Sequence, residues 1–167
     1  MNFTAEPHAE PPVVARLRTM LDAAGVRYRI LDHPQQVTSS ALDGANHGFG
    51  ALAQMAPTLI LRTERGYLAA IISGATRLSY KKIKKHLGLR NVSMASPAEV
   101  LEETGAEVGT VALVNPGMRT LIDRQLPAQG EVFGGCGISR YSLAIDAGDL
   151  VSVTAADVFD FTEPRIP

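Results

Sequence analysis

Glycine and proline cut this chain into short pieces. Fifteen glycines and ten prolines are scattered through 167 residues, so no helix or strand between them can be long. The apolar runs stop well short of the ~20 residues that a membrane span needs. What remains alternates between short helical and short extended patterns, without the regular strand–helix rhythm of a parallel α/β protein. The expected fold is therefore a single α+β domain: a twisted, mixed, mostly antiparallel sheet with helices packed around it. A chain of 167 residues suits one such core, and an apolar fraction of 46% with 20% charged residues is ordinary for a globular protein.

Local signals place the elements. Residues 1–12 (MNFTAEPHAEPP) carry prolines and charges but no apolar core of a signal peptide, and read as a flexible N-terminal arm before a domain over 13–167. Val13, Val14, Leu17, Met20 and Leu21 have helical spacing, with Gly25 as the stop. Residues 26–30 alternate apolar and basic as a half-buried strand, which ends at His33-Pro34. Ser40 with Asp43 predicts one short cap and helix, and residues 50–56 another, stopped by Pro57. The runs 58–62 and 67–73 flank Thr63-Glu64-Arg65-Gly66 and predict a hairpin. Ser79 caps a helix over 80–87 that closes on Gly88. Ser96-Pro97-Ala98-Glu99 is the clearest signal in the chain, a capping box with proline in the first turn, opening a helix to Thr104 and Gly105. Strands are expected at 91–94, 108–114, 119–122, 132–134 and 143–145, and Thr154 with Asp157 predicts a last short helix.

The charge distribution is more informative than its sum. Net charge is −1, there is no Trp and aromatic residues are 5%, which argues against a generic DNA-binding surface. Yet every lysine falls between Lys81 and Lys85, while Asp146, Asp149, Asp157, Asp160 and Glu163 crowd the C-terminal end. On a helix over 80–87, Tyr80, Ile83 and Leu87 face inward and Lys81 stacks on Lys85, with Lys82 and Lys84 beside them. Like charges at this spacing repel by ~0.2–0.5 kcal/mol per pair. Either an anion relieves them, flanked by Arg77 and Arg90, or the helix is simply solvated.

Candidate site residues are fewer. His33, at a strand end, is either a proton shuttle or a turn residue. His47 lies in a glycine-rich stretch and is either near a ligand or exposed. Ser73-Gly74 and Thr58 bound the hairpin strands, but no nucleophile elbow surrounds Ser73. Gly109 and Gly134–Gly137 do not have nucleotide-binding spacing; Gly135 and its neighbours suit either backbone contacts to a carbonyl oxygen or a tight turn. Asp123 reads as a turn cap, and Cys136 as a small buried or turn residue. A lone cysteine forms no internal disulfide and fits a reducing cytoplasm, and the dispersed histidines make no structural zinc site.

The segments YRILDHP (28–34), PTLILR (57–62), LSYKKIKKHLG (78–88), ASPAEVLEETGAEVG (95–109), LIDRQL (121–126) and EVFGGCGISRYSLAIDAGDL (131–150) occur in an order that resembles the YbaK family, also met as an editing insertion in bacterial prolyl-tRNA synthetases. The resemblance implies a sheet partly closed like a barrel. It implies trans-acting hydrolysis of the ester joining a wrong amino acid to the 3′-terminal ribose of tRNA, with no metal or organic cofactor. The pocket would draw on His33, His47, Thr58, Ser73, Gly74, Gly109 and Gly135, and tRNA would meet Arg77, Lys81, Lys82, Lys84, Lys85 and Arg90; neither DNA nor a membrane is expected as a partner. Two departures stand out. The family's lysine position before the Thr-Leu strand is Pro57, and the loop at Gly109-Thr110-Val111-Ala112-Leu113 lacks the family's Ser-Pro pair. They support a second expectation: a module that binds aminoacyl-tRNA or an amino-acid-like ligand with little turnover.

Overall fold

The computed structural model describes residues 10–33 and 50–165. The expected cap at Ser40, His47 and most of the N-terminal arm lie outside the described residues. Among the described residues there are four helices: α1 (Pro12–Ala23), α2 (Tyr80–Leu87), α3 (Pro97–Thr104) and α4 (Ala147–Thr154). The strands are β1 (Tyr28–Asp32), β2 (Thr58–Thr63), β3 (Gly66–Ile71), β4 (Thr76–Leu78), β5 (Val92–Met94), β6 (Arg119–Asp123), β7 (Glu131–Gly135), β8 (Tyr141–Asp146), β9 (Asp157–Phe159) and β10 (Thr162–Pro164). Short 3-10 turns occupy Leu52–Gln54 and Leu126–Gln129.

The hairpin pairs Thr58 with Ile71 through to Thr63 with Gly66, and Gly66 takes φ 109° at the turn, a conformation that favours glycine. It sits inside a five-stranded sheet of order β5-β2-β3-β6-β9, antiparallel on the β5 side and parallel from β3 onward. A second sheet, β1-β8-β7, is wholly antiparallel, and β10 pairs with β4. Isolated bridges from Met55 to Phe133 and from Ala112 to Gly135 tie the two larger units together. This is the expected single α+β domain with mixed, mostly antiparallel sheets.

Neighbouring residues of β2 serve different cores because side chains alternate across a strand. Ile60 packs with Val100 and Val111 beneath α3, whereas Leu61 packs with Ile83, Leu121 and Phe161 beneath α2. A third cluster joins Leu17 and Leu21 of α1 to Leu143, Ile145 and Leu150. The caps behave as their sequences require. The Ser79 hydroxyl accepts from the Lys82 N–H, and the Ser96–Glu99 box is closed in both directions. Glu99 also accepts from the Tyr67 hydroxyl. That bond first, and then the Ser96 backbone N–H, hold the Glu99 carboxyl down to about 2 from an ordinary 4.5. Asp123 is a turn cap as expected, accepting from the backbone N–H groups of Gln125 and Phe161 while fully buried.

Two expectations are corrected. Residues 108–114 do not form a strand. The Thr110 N–H donates to Glu107 O and Gly109 takes φ 90°, turning the chain, and only Ala112 makes a bridge. Val111, Leu113 and Val114 are buried as loop residues, so their apolar run recorded burial rather than pairing. The last helix opens earlier than Thr154. The Asp146 carboxylate accepts from the N–H groups of Gly148 and Asp149, Thr154 closes α4, and Asp157 begins β9. A carboxylate at the N-cap outcompetes a hydroxyl further along. The three-residue pair β4/β10 was not expected, being too short for alternation to show.

Candidate active site

The first residues of β2, the β5–α3 connection, the 108–111 loop and the β7–β8 turn surround a cavity of about 280 Å³. Leu59, Ile60, Val100, Val111 and Phe133 supply apolar wall, and Val108 and Ile138, 54% and 36% exposed, stand among the lining residues as well. Its polar side chains include His33, Thr58, Ser139, Arg140 and Ser142, and no carboxylate lines it among the described residues.

Each polar group is held by identifiable neighbours. His33 Nε2 lies 3.0 Å from Ser142 Oγ, and the His33 backbone N–H donates to Arg140 O at 2.9 Å. Arg140 takes φ 81°, rare for a residue with a Cβ. Its Nε donates to Asp32 Oδ1 at 2.9 Å. That contact spans β1 and the β7–β8 turn, and it brings the cavity a side chain that is always charged. Thr58 Oγ1 is buried and has no hydrogen-bond partner among the described residues. The residue lines the cavity while this hydroxyl oxygen itself is closed off from solvent.

Pro57 lines the cavity and brings neither charge nor N–H. Gly109 and Gly135 line it too. A Cβ on Gly135 would stand 2.2 Å from Val111 O, so glycine lets β7 press against the 110–113 loop and form the cavity wall. Gly137 N–H is already committed to Thr110 O. Ser73 and Gly74, by contrast, do not line the cavity. Ser73 Oγ donates to Ala53 O at 2.8 Å and Gly74 N–H donates to Met55 O at 2.7 Å. They brace the leg that delivers Met55 and Pro57. Cys136 is buried, and desolvation above all pushes its thiol up to about 12, which leaves it unreactive.

The cations of the α2 region divide into two sets. Lys82 Nζ binds Asp160 at 3.2 Å and donates to Thr162 O, and Arg77 pairs with Glu163 at 3.0 Å. Lys81, Lys84, Lys85 and Arg90 have no ion pair among the described residues. Sequence reasoning missed Arg140, Ser142, Phe133 and Ile138. Arg140 had one legible signal, a cation in a glycine-flanked turn between two strand patterns.

Among the described residues no helix is long and apolar enough to cross a membrane, and no group of three or more His, Cys, Asp or Glu is placed to hold a metal ion. The aminoacyl-tRNA editing domain family matches residues 33–153. A solved structure described as a proposed trans-editing enzyme for prolyl-tRNA synthetase superimposes with a TM-score of 0.82 at 25% identity, covering 93% of this chain and 99% of that one. A hypothetical protein does so with 0.82 at 29% identity, covering 89% and 99%. Proline–tRNA ligases of Thermotoga maritima and Thermosipho africanus are 26% and 29% identical over 74 and 58 residues, 44% and 35% of this chain. The matches span 13% and 10% of those ligases.

Proposed function

The chain belongs to the aminoacyl-tRNA editing domain family, and from that membership we propose that it acts in trans on mischarged tRNA in the cytoplasm, hydrolysing the ester between a small uncharged amino acid and the terminal ribose. The observation that carries this proposal is the cavity itself: apolar walls, no carboxylate among the described lining residues, and a permanent cation in Arg140. The walls accept an uncharged side chain and reject larger ones by volume. Arg140 donates to the ester carbonyl or the ribose, replacing the charge that Pro57 lacks. The His33–Ser142 pair orients the attacking water. Water adds to the carbonyl carbon, the ester C–O bond breaks, and the ribose oxygen leaves with a proton. Such an ester is already reactive, so positioning and charge stabilisation suffice without a strong base.

A binding module with little turnover is favoured by one observation, the absence of an ammonium at Pro57. A hydrolysis assay with alanine or serine on proline tRNA separates the two. Release faster than buffer supports the deacylase. Binding of the aminoacylated RNA without release leaves the module.

A further inference from the structure

We propose that a polar cleft at the far end of β2 docks the phosphodiester backbone of the single-stranded 3′ end whose terminal aminoacyl group enters the cavity. Because tRNA is the substrate proposed above, the docking site stands on that proposal. The cleft has a volume of about 470 Å³, and Arg62, Lys84, Arg90, Asn91 and Ser93 line it. Lys84 and Arg90 are free of ion pairs among the described residues, and Arg62 lies 3.5 Å from Glu99 while 58% exposed.

Among the described residues one carboxylate, Glu64, lines the cleft, and it is held in place by backbone donors. Glu64 Oε1 accepts from the backbone N–H groups of Arg90 at 2.7 Å and Asn91 at 3.1 Å. It pins the connection between α2 and β5 to the hairpin turn. Arg65 reinforces this by donating to Leu87 O and Gly88 O, both at 3.3 Å. The cleft walls are thus tied together before any ligand arrives, and among the described residues three cations outnumber one carboxylate along them.

Continuity with the cavity gives the cleft its orientation. On β2, Thr58, Leu59 and Ile60 line the cavity while Arg62 and Thr63 line the cleft. On edge strand β5, Met94 lines the cavity while Val92 and Ser93 line the cleft. Two residues of strand span only about 7 Å. A chain whose last ribose sits at the cavity mouth therefore brings its preceding phosphates to the cations. Met94, 47% exposed, offers an apolar step between them. Lys82 of α2 and Arg77 of β4 are already paired with Asp160 and Glu163. With a net charge of −1, the molecule has no general positive field, so RNA must find a local one.

The test uses an acceptor-stem RNA with its 3′ amino acid held through a non-hydrolysable amide, followed by fluorescence anisotropy across a salt series. Lys84→Ala with Arg90→Ala should weaken binding several-fold at low salt. It should also reduce the slope of log affinity against log salt by about 1.4, ~0.7 for each single-strand phosphate contact. Arg16→Ala with Arg27→Ala removes equal charge from α1 and the loop after it and should move neither quantity. Glu64→Gln keeps an oxygen for the two backbone amides while removing the negative charge, and should tighten binding. An unchanged slope in the Lys84/Arg90 variant, an equal loss in both double variants, weaker binding by Glu64→Gln, or wild-type protein that binds no RNA would overturn the docking site. Wild-type protein that binds with this pattern yet hydrolyses no mischarged tRNA would instead remove the deacylase proposal and leave the cleft standing.

Discussion

In the proposed mechanism Arg140 supplies the cation that Pro57, at the position where the resemblance implies a lysine, does not. Proline at position 57 has no N–H to lose, and its carbonyl accepts from Ile72 N–H at 3.3 Å, a bond that any residue there would keep. Arg140→Ala should lower deacylation by about 10- to 100-fold, since a charge-assisted hydrogen bond contributes ~1.5–3 kcal/mol. Arg140→Lys should recover part of it, measured as hydrolysis of mischarged tRNA. Pro57→Lys should then raise turnover by less than about 10-fold, because Arg140 already supplies a cation. A larger gain would show that Arg140 does not reach the reacting ester. Glu99 makes a prediction about pH. Its carboxyl is held at about 2 rather than 4.5. A lowered folded-state value means stability that is present above 4.5 and is lost as pH falls toward about 2. Urea midpoints should therefore drop between about pH 5 and about pH 2.5 more steeply in the wild type than in Glu99→Gln. Parallel curves would mean that Glu99 takes no part in acid lability.

At the scale of elements, the cavity wall depends on the bare backbone of β7. Gly135→Ala places a Cβ 2.2 Å from Val111 O, and because that neighbour is backbone, the 110–113 loop must shift. The expected cost is ~1–3 kcal/mol, as for other overpacked sites, together with a loss of deacylation. Gly105→Ala is the informative contrast. Gly105 takes φ 73° at the end of α3 with open space around its missing side chain, so the cost is about 1 kcal/mol of backbone strain and deacylation should persist. Urea unfolding with a hydrolysis assay on both variants checks this; equal effects on hydrolysis would detach Gly135 from the cavity. The helices show how far local chemistry reaches. The Ser79 and Ser96 caps and the Gly88 and Gly105 stops were legible because they are decided within one turn of chain. The 108–114 run was not legible, because burial in a loop and burial in a strand leave the same apolar pattern.

Over the whole molecule, net charge is −1, and among the described residues Lys84 and Arg90 line the cleft without ion pairs. Duplex DNA, which needs a long basic track, should therefore bind negligibly at physiological salt while the aminoacylated acceptor RNA binds. Comparable anisotropy changes for the two would contradict that arrangement. Sequence alone determined the capped helices, the β2–β3 hairpin, the inward face of α2 and the order of segments that resembles the editing family. Each rests on hydrogen bonds or periodicity within a few residues, and these are physical constraints that act along the chain. Only the tertiary structure decided which polar groups meet. His33 joins Ser142 across 109 positions, Lys82 joins Asp160 across 78, and Arg140 reaches Asp32 across 108. Such contacts follow from strand register and sheet packing, which bring distant segments together only after the whole core has formed, so nothing in the flanking residues announces them.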